Sequence, residues 1–221
     1  AYVVNGYRPS DAMVAGAAAF NNGNPILLVN ANSIPKATSD ALKDLGIENV
    51  IIVGGTAVVS QDVQAQLQAA GYNVKRLSGS KRALTAVDFA KSEFGNINGI
   101  SVVNGGTVGS LSDAVGASVF GNPILFAEAN STLLNEVSEY IDGLLEDNND
   151  LTITLFGGTS RLTTALQNQL EEKVKNAAPK ELKVESVSAI NLNQIKVVFN
   201  KAVEKNSAEN IANYTLNGQA F

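Results

Sequence analysis

The chain has 221 residues, 45% of them apolar and 17% charged, the balance of a folded globular protein of one or two domains. Cysteine, histidine and tryptophan are absent, which excludes disulfides, Cys/His metal sites, thiol nucleophiles and every histidine triad, so no metal or other cofactor is expected. Sixteen Lys and Arg against 21 Asp and Glu leave a net charge of −5, so nucleic acid, whose binding draws on phosphate neutralisation, is not an expected partner.

No window approaches the run of about 20 apolar residues that spans a bilayer, so no membrane insertion is expected. The first residues lack the charged and apolar regions of a signal peptide, and any export signal is expected to have been removed. From the N-terminus, short β-branched runs alternate strictly with amphipathic helical stretches. Strands are predicted near Tyr2–Asn5, Ile26–Val29, Val50–Val53, Val74–Leu77, Ile100–Val103, Ile124–Ala127 and Leu151–Phe156. Helices are predicted near Asp11–Phe20, Lys36–Leu45, Gln61–Ala70, Arg82–Phe94, Asp113–Phe120, Leu133–Leu145 and Arg161–Lys175. Ser10, Ser60 and Ser112 stand where an N-cap hydroxyl is wanted, and Gly46, Gly71 and Gly95 where a left-handed residue ends a helix. Runs such as "VIIVG" and "PILLV" are apolar on both faces, as in a parallel sheet covered by helices on each side. The fold class expected is α/β, built of repeated βα units with parallel sheets and flanking helices.

The segment "VIIVGGTAVVSQDVQAQL", Val50 to Leu67, returns 103 residues later as "ITLFGGTSRLTTALQNQL", Ile153 to Leu170. "VVNGYRPSDA" from Val3 matches "VVNGGTVGSLSDA" from Val102, and "NPILLVNANS" from Asn24 matches "NPILFAEANS" from Asn122. Residues 1–75 therefore form one repeat, incomplete at its start, and residues 76–176 a second. Nothing stands in for "RLSGSKRALTAVDFAKSEFG" ahead of Ala1, so the expectation is a fragment or processed form. Residues 177–182 read as a linker. Residues 183–221 show period-two alternation, with Ile195, Val197 and Phe199 on one face, the opening of an all-β module.

Gly54-Gly55 and Gly157-Gly158 each leave a strand and lead towards a helix, a place where free N–H groups attract anions. Neither GxGxxG nor GxxxxGK[ST] is present, so a tight turn needing positive φ is preferred to a phosphate cradle. Asp11 and Asp113 fall in equivalent first helical turns, where the helix dipole favours a carboxylate; nothing in the sequence brings them together as an acid/base pair. Lys75, Arg76, Lys81 and Arg82 bracket the "LSGS" turn, either as a solvated face or as a patch for anionic capture, in which Arg can bind phosphate or carboxylate bidentately. Pro25–Leu28 and Pro123–Phe126 read as buried strands on composition alone.

The order of "R-L-S-G-x-x-R-x-x-T-A", "V-V-N-G…S-D-A", "N-P-I-L-L" and "I-V-G-G-T…V-S…V…L" resembles the type 2 cell wall binding repeat of clostridial S-layer and other cell wall proteins. The resemblance covers about Tyr2 to Lys175 and implies Rossmann-like units that come in threes, pack about a pseudo-threefold axis, and hold a secreted surface protein noncovalently to an anionic wall polysaccharide. It implies no catalysis. The stretch it implicates in glycan contact is Pro25, Ile26, Leu27 and Leu28 here, and Pro123, Ile124, Leu125 and Phe126 in the second repeat; Arg76 and Arg82 join them as the cationic candidates. The family has Asp and Tyr around its opening Arg, where this chain has Lys81 and Ala83. The partners implied are the polysaccharide and other repeats or protomers that complete the threefold. The location implied is the cell wall or cell surface. The C-terminal segment is similar to Ig-like modules of bacterial surface proteins. A lattice module without glycan binding is the alternative, and a wall-glycan hydrolase ranks below both.

Overall fold

The structure, a computed structural model, describes residues 1–106, 112–148, 150–177, 184–191, 194–199, 203–216 and 219–220. The chain divides into two compact units, Ala1–Ala177 and Ala178–Phe221.

The first unit contains two parallel sheets with helices between their strands. In sequence these are β1 (Tyr2–Asn5), α1 (Pro9–Asn22), β2 (Ile26–Val29), α2 (Lys36–Asp44), β3 (Asn49–Val53), α3 (Gln61–Ala69), β4 (Asn73–Leu77) and α4 (Arg82–Glu93). There follow β5 (Gly99–Asn104), α5 (Ser112–Ser118), β6 (Ile124–Ala127), α6 (Asn135–Asp147), β7 (Thr152–Phe156) and α7 (Thr164–Ala177). The first sheet has the order β2-β1-β3-β4 and the second β6-β5-β7. Every pairing within them is parallel. This is the expected α/β architecture.

The sequence boundary at residue 76 divides β4, yet all five of its residues pair with β3, from Asn49↔Asn73 to Val53↔Leu77. The strand completes the first sheet, while α4, directly after it, packs on β6 and α6 of the second repeat and on α1 of the first. One βα segment therefore belongs to both halves.

Side-chain alternation sorts the core. Val3 of β1 points into a cluster with Leu42, Val50, Ile52, Val63 and Leu67, under α2 and α3. Its neighbours Tyr2 and Val4 point to the opposite face. There they join Phe89, Ile100, Phe126, Ile141 and Leu166 in one continuous core shared by the two repeats. Small residues make that sharing possible. A Cβ placed on Gly16 of α1 would lie 2.5 Å from Ser118 Oγ of α5, so these helices meet nearly backbone to backbone. Asn21 Nδ2 donates to Gly121 O across the same junction, at 2.7 Å.

The second unit contains an antiparallel pair, β8 (Val184–Asn191) and β9 (Gln194–Phe199), then a helical turn α8 (Lys205–Ala208) and a second antiparallel pair, β10 (Thr215–Leu216) and β11 (Gln219–Ala220). The linker expected at residues 177–182 falls mostly outside the described residues.

Candidate functional site

In open α/β sheets ligands enter the crevice at the carboxyl ends of the strands, at the point where strand order reverses. Here that point lies between β1 and β3, and between β5 and β7, and the protein's own side chains fill it. Asn5, at the end of β1, donates through Nδ2 to Val58 O at 2.6 Å and accepts from Tyr7 N at 2.8 Å. Asn104, at the end of β5, donates to Arg161 O at 2.8 Å and accepts from Gly106 N at 2.9 Å. Val58 and Arg161 are the same position of the two copies. Each asparagine thus latches the loop that follows the strand across the switch point, β3 for Asn5 and β7 for Asn104, a role the repeated "VVNG" carried without announcing.

The glycine turns are the opposite wall. Gly54 has φ 117° and Gly157 φ 135°, the positive values expected. A second reason for glycine is spatial: a Cβ on Gly54 would lie 2.6 Å from Asp11 Oδ2, and one on Gly157 2.9 Å from Asp113 Oδ2. The helix behind each turn starts late. Ser60 caps α3, its Oγ accepting from Val63 N at 3.4 Å, and α3 begins only at Gln61. Gly-Gly therefore does not open onto a helix N-terminus, and a nucleotide cradle is absent from both turns.

Asp11 is buried, 5% exposed. Desolvation pushes its carboxyl up to about 6, against the opposing pull of the Arg82 guanidinium. Arg82, at the start of α4, also donates through Nη1 to Gly105 O in the loop after β5. It bridges the two repeats.

Arg76 projects from β4 towards α3. Its guanidinium donates to Gln64 Oε1 at 2.9 Å, Gly54 O at 2.8 Å and Ser60 O at 3.3 Å. Burial lowers its pKa. This arginine ties strand, glycine turn and helix cap together. Lys75, on the other face of β4, donates to Ser92 Oγ and lies 4.0 Å from Glu93 Oε1. Lys81 is exposed. The intervening turn is held by Ser78 N donating to Asp88 Oδ2 and Gly79 N donating to Thr85 Oγ1, each 2.9 Å.

The two "NPIL" copies are not equivalent. Pro25, Ile26 and Leu27 are half-buried and Leu28 is 51% exposed, on a sheet edge open to solvent. Pro123, Ile124, Leu125 and Phe126 are all buried, Phe126 to 1%, because α4 and α1 cover β6. Those four side chains are core, as their composition alone suggests, and a polymer at the surface does not reach them. The structure thus brings Arg82, Asp11 and Gly54 into one neighbourhood, but it does not join the two "NPIL" stretches into a single exposed groove.

The family model of Cell wall binding domain 2 (CWB2) matches residues 1–64 and 76–167. The chain is 29% identical over 195 residues to the N-acetylmuramoyl-L-alanine amidase LytC of Bacillus subtilis, covering 87% of this chain and 38% of that protein. It is 24% identical over 181 residues to the Amidase enhancer of the same organism, covering 79% of this chain and 24% of the relative. Among solved structures, Cwp6 from Clostridium difficile matches with TM-score 0.66 and 28% identity, over 77% of this chain and 27% of that one. Cwp8 from the same organism matches in fold, with TM-score 0.62 and 24% identity over 80% of this chain and 29% of that one. The chain spans less than two-fifths of the length of any of these proteins. With both repeats matched over most of their length, the chain is a member of the Cell wall binding domain 2 family.

Proposed function

We propose that the chain is a non-catalytic anchoring segment that holds a secreted surface protein to the cell wall through an anionic wall polysaccharide. The match of both repeats to a wall-binding family carries this reading. This chain spans 38% of the Bacillus subtilis relative named as an amidase, and in this reading the stretch the two share is the anchoring part. In this reading the accessible stretch Pro25–Leu28 makes the apolar contact, Arg82 and the exposed Lys81 supply positive charge, and Arg76 supports the surface from within. Pro123–Phe126 serves as the core of the second repeat. Several modest contacts to a repeating polymer give avidity without tight individual sites. The other partners are further repeats or protomers that complete a pseudo-threefold.

The test is co-sedimentation of the full chain with purified wall polysaccharide over a salt series. Binding is expected to fall as salt rises, and Leu28→Asp combined with Lys81→Glu is expected to weaken it without changing the circular dichroism spectrum. Salt-insensitive binding, or full retention by that variant, rejects the electrostatic and Pro25–Leu28 parts. A lattice-forming role without glycan contact is the second reading, favoured by the edge of β7, which has no partner strand among the described residues; it predicts ordered arrays of the protein alone.

A further inference from the structure

Strand β7 is the copy of β3, residue for residue at the 103-residue spacing, but among the described residues it has a neighbour on one side only. Thr152 N donates to Asn98 O on the β5 side at 3.0 Å. Strand alternation therefore turns the N–H groups of Ile153 and Leu155 to the open side. In the first repeat the corresponding edge is closed by β4, and Gly54 N donates to Leu77 O at 2.9 Å. Gly157 N, its counterpart, has no such acceptor among the described residues.

The missing strand leaves a groove of about 790 Å³ between β7 and α7, lined by Ile153, Leu155, Gly157, Gln167, Leu170 and Val174 among others. Each wall has its counterpart around β4. Leu170 matches Leu67, a member of the cluster against which Val74 packs; Gly157 matches Gly54; Gln167 matches Gln64. Gly54 O and Gln64 Oε1 are two of the three acceptors that hold Arg76. The arginine socket is thus built twice and filled once. Gln167 Nε2 donates to Glu171 Oε1 at 2.7 Å, which leaves the Gln167 oxygen to accept and sets a carboxylate beside the socket. The chain does not turn back to fill it at the repeat position. Where α3 ends and Gly71 turns with φ 93°, the second copy has Val174 inside α7, which runs on to Ala177.

We propose that the β7–α7 groove is a strand-accepting site for an extended segment of the β4 kind, running parallel to β7, with apolar side chains towards Leu170 and an arginine donating to Gly157 O and Gln167 Oε1. Recognition is β-augmentation: main-chain hydrogen bonds give affinity, and the arginine socket gives register and selectivity. The site is independent of glycan binding.

The probe is a fluorescein-labelled synthetic peptide spanning Gly71–Arg82, titrated into the full chain and followed by anisotropy, beside the same peptide with Arg76→Gln. Saturable binding is expected, with the Arg76→Gln peptide roughly tenfold weaker, as loss of a charge-assisted hydrogen bond dictates. Gln167→Ala in the protein, an exposed position, is expected to weaken the arginine peptide and leave the glutamine peptide unchanged. Amide resonances of Ile153, Leu155 and Gly157 should shift on binding. Absence of saturable binding at millimolar peptide, equal affinity of the two peptides, or shifts confined to β2 or β4 would overturn the proposal. So would a doubling of mass in sedimentation that Leu155→Pro abolishes and the peptide does not displace, because the occupant would then be a second copy.

Discussion

Gly54 meets two demands, a left-handed φ and the Asp11 carboxylate where a Cβ would stand, and each penalises a side chain. Gly54→Ala should cost about 1–3 kcal/mol in urea unfolding, the range for forced positive φ with a close contact. Gly55→Ala, with negative φ and open space around it, is the control and should be nearly silent. Asp11 supplies the pH dependence of this corner. Its carboxyl titrates near 6 in the native state against 3.8 in the reference state, so between those values the folded protein holds a proton the unfolded chain has released. Its contribution is therefore most favourable below pH 4 and is lost as pH rises through 6, by roughly 3 kcal/mol at about 1.4 per pKa unit. Asp11→Asn removes that dependence, so the difference in stability between the two proteins should change over pH 4–6 and level off above 7. A constant difference across that range would reject the buried-carboxylate account. The positive φ at both turns was legible from Gly-Gly after a strand. The carboxylate that also excludes a Cβ was not, because Asp11 lies 43 residues before Gly54 and only the fold joins them.

At the scale of elements, the strands were legible nearly to the residue, since apolar runs bounded by Gly, Asn and Pro admit little slippage. Helix ends were less so. Pro9 starts α1 two residues ahead of the expected Asp11, at the position where a missing N–H costs nothing, which puts Ser10 inside the helix instead of at its cap. Gly23, with φ 64°, ends α1, whereas Gly95 is not left-handed and Phe94 ends α4 in an extended conformation. The sequence of α7 is helical in period from Arg161, yet Arg161 N and Leu162 N both turn back to Gly158 O, and the helix starts at Thr164. The contact between α1 and α5 gives the sharpest test of an element junction. Gly16→Ala should destabilise by about 1–3 kcal/mol as an overpacked interface. Ser118→Gly should recover much of that loss in the same background, because the clash is with its side chain. Additive effects in the double-mutant cycle would mean the helices simply move apart.

For the whole molecule, the repeat was visible in the sequence, but the way its two copies share β4 and α4 was not, since a repeat boundary drawn by self-similarity cuts through the strand. The same sharing makes the "NPIL" stretch exposed in one copy and buried in the other, a distinction no single-copy motif contains. Because one core runs through both sheets, residues 1–177 should unfold in a single transition. A fragment ending at Leu77 retains the first sheet yet loses α4, leaving Tyr2, Val4 and Val53 without their cover; circular dichroism should find it largely unfolded, and a native-like spectrum would contradict the shared-core account. Removing residues 178–221 should leave the melting transition of the first unit unchanged. The placement of β4 also bears on how the molecule meets tension. Its five pairings with β3 are spaced along the strand, with their hydrogen bonds crossing to β3, and the helix that follows is seated on the second sheet. Stretching the chain between its two repeats therefore loads these bonds side by side in shear, whereas a hairpin at such a junction would peel open one bond at a time.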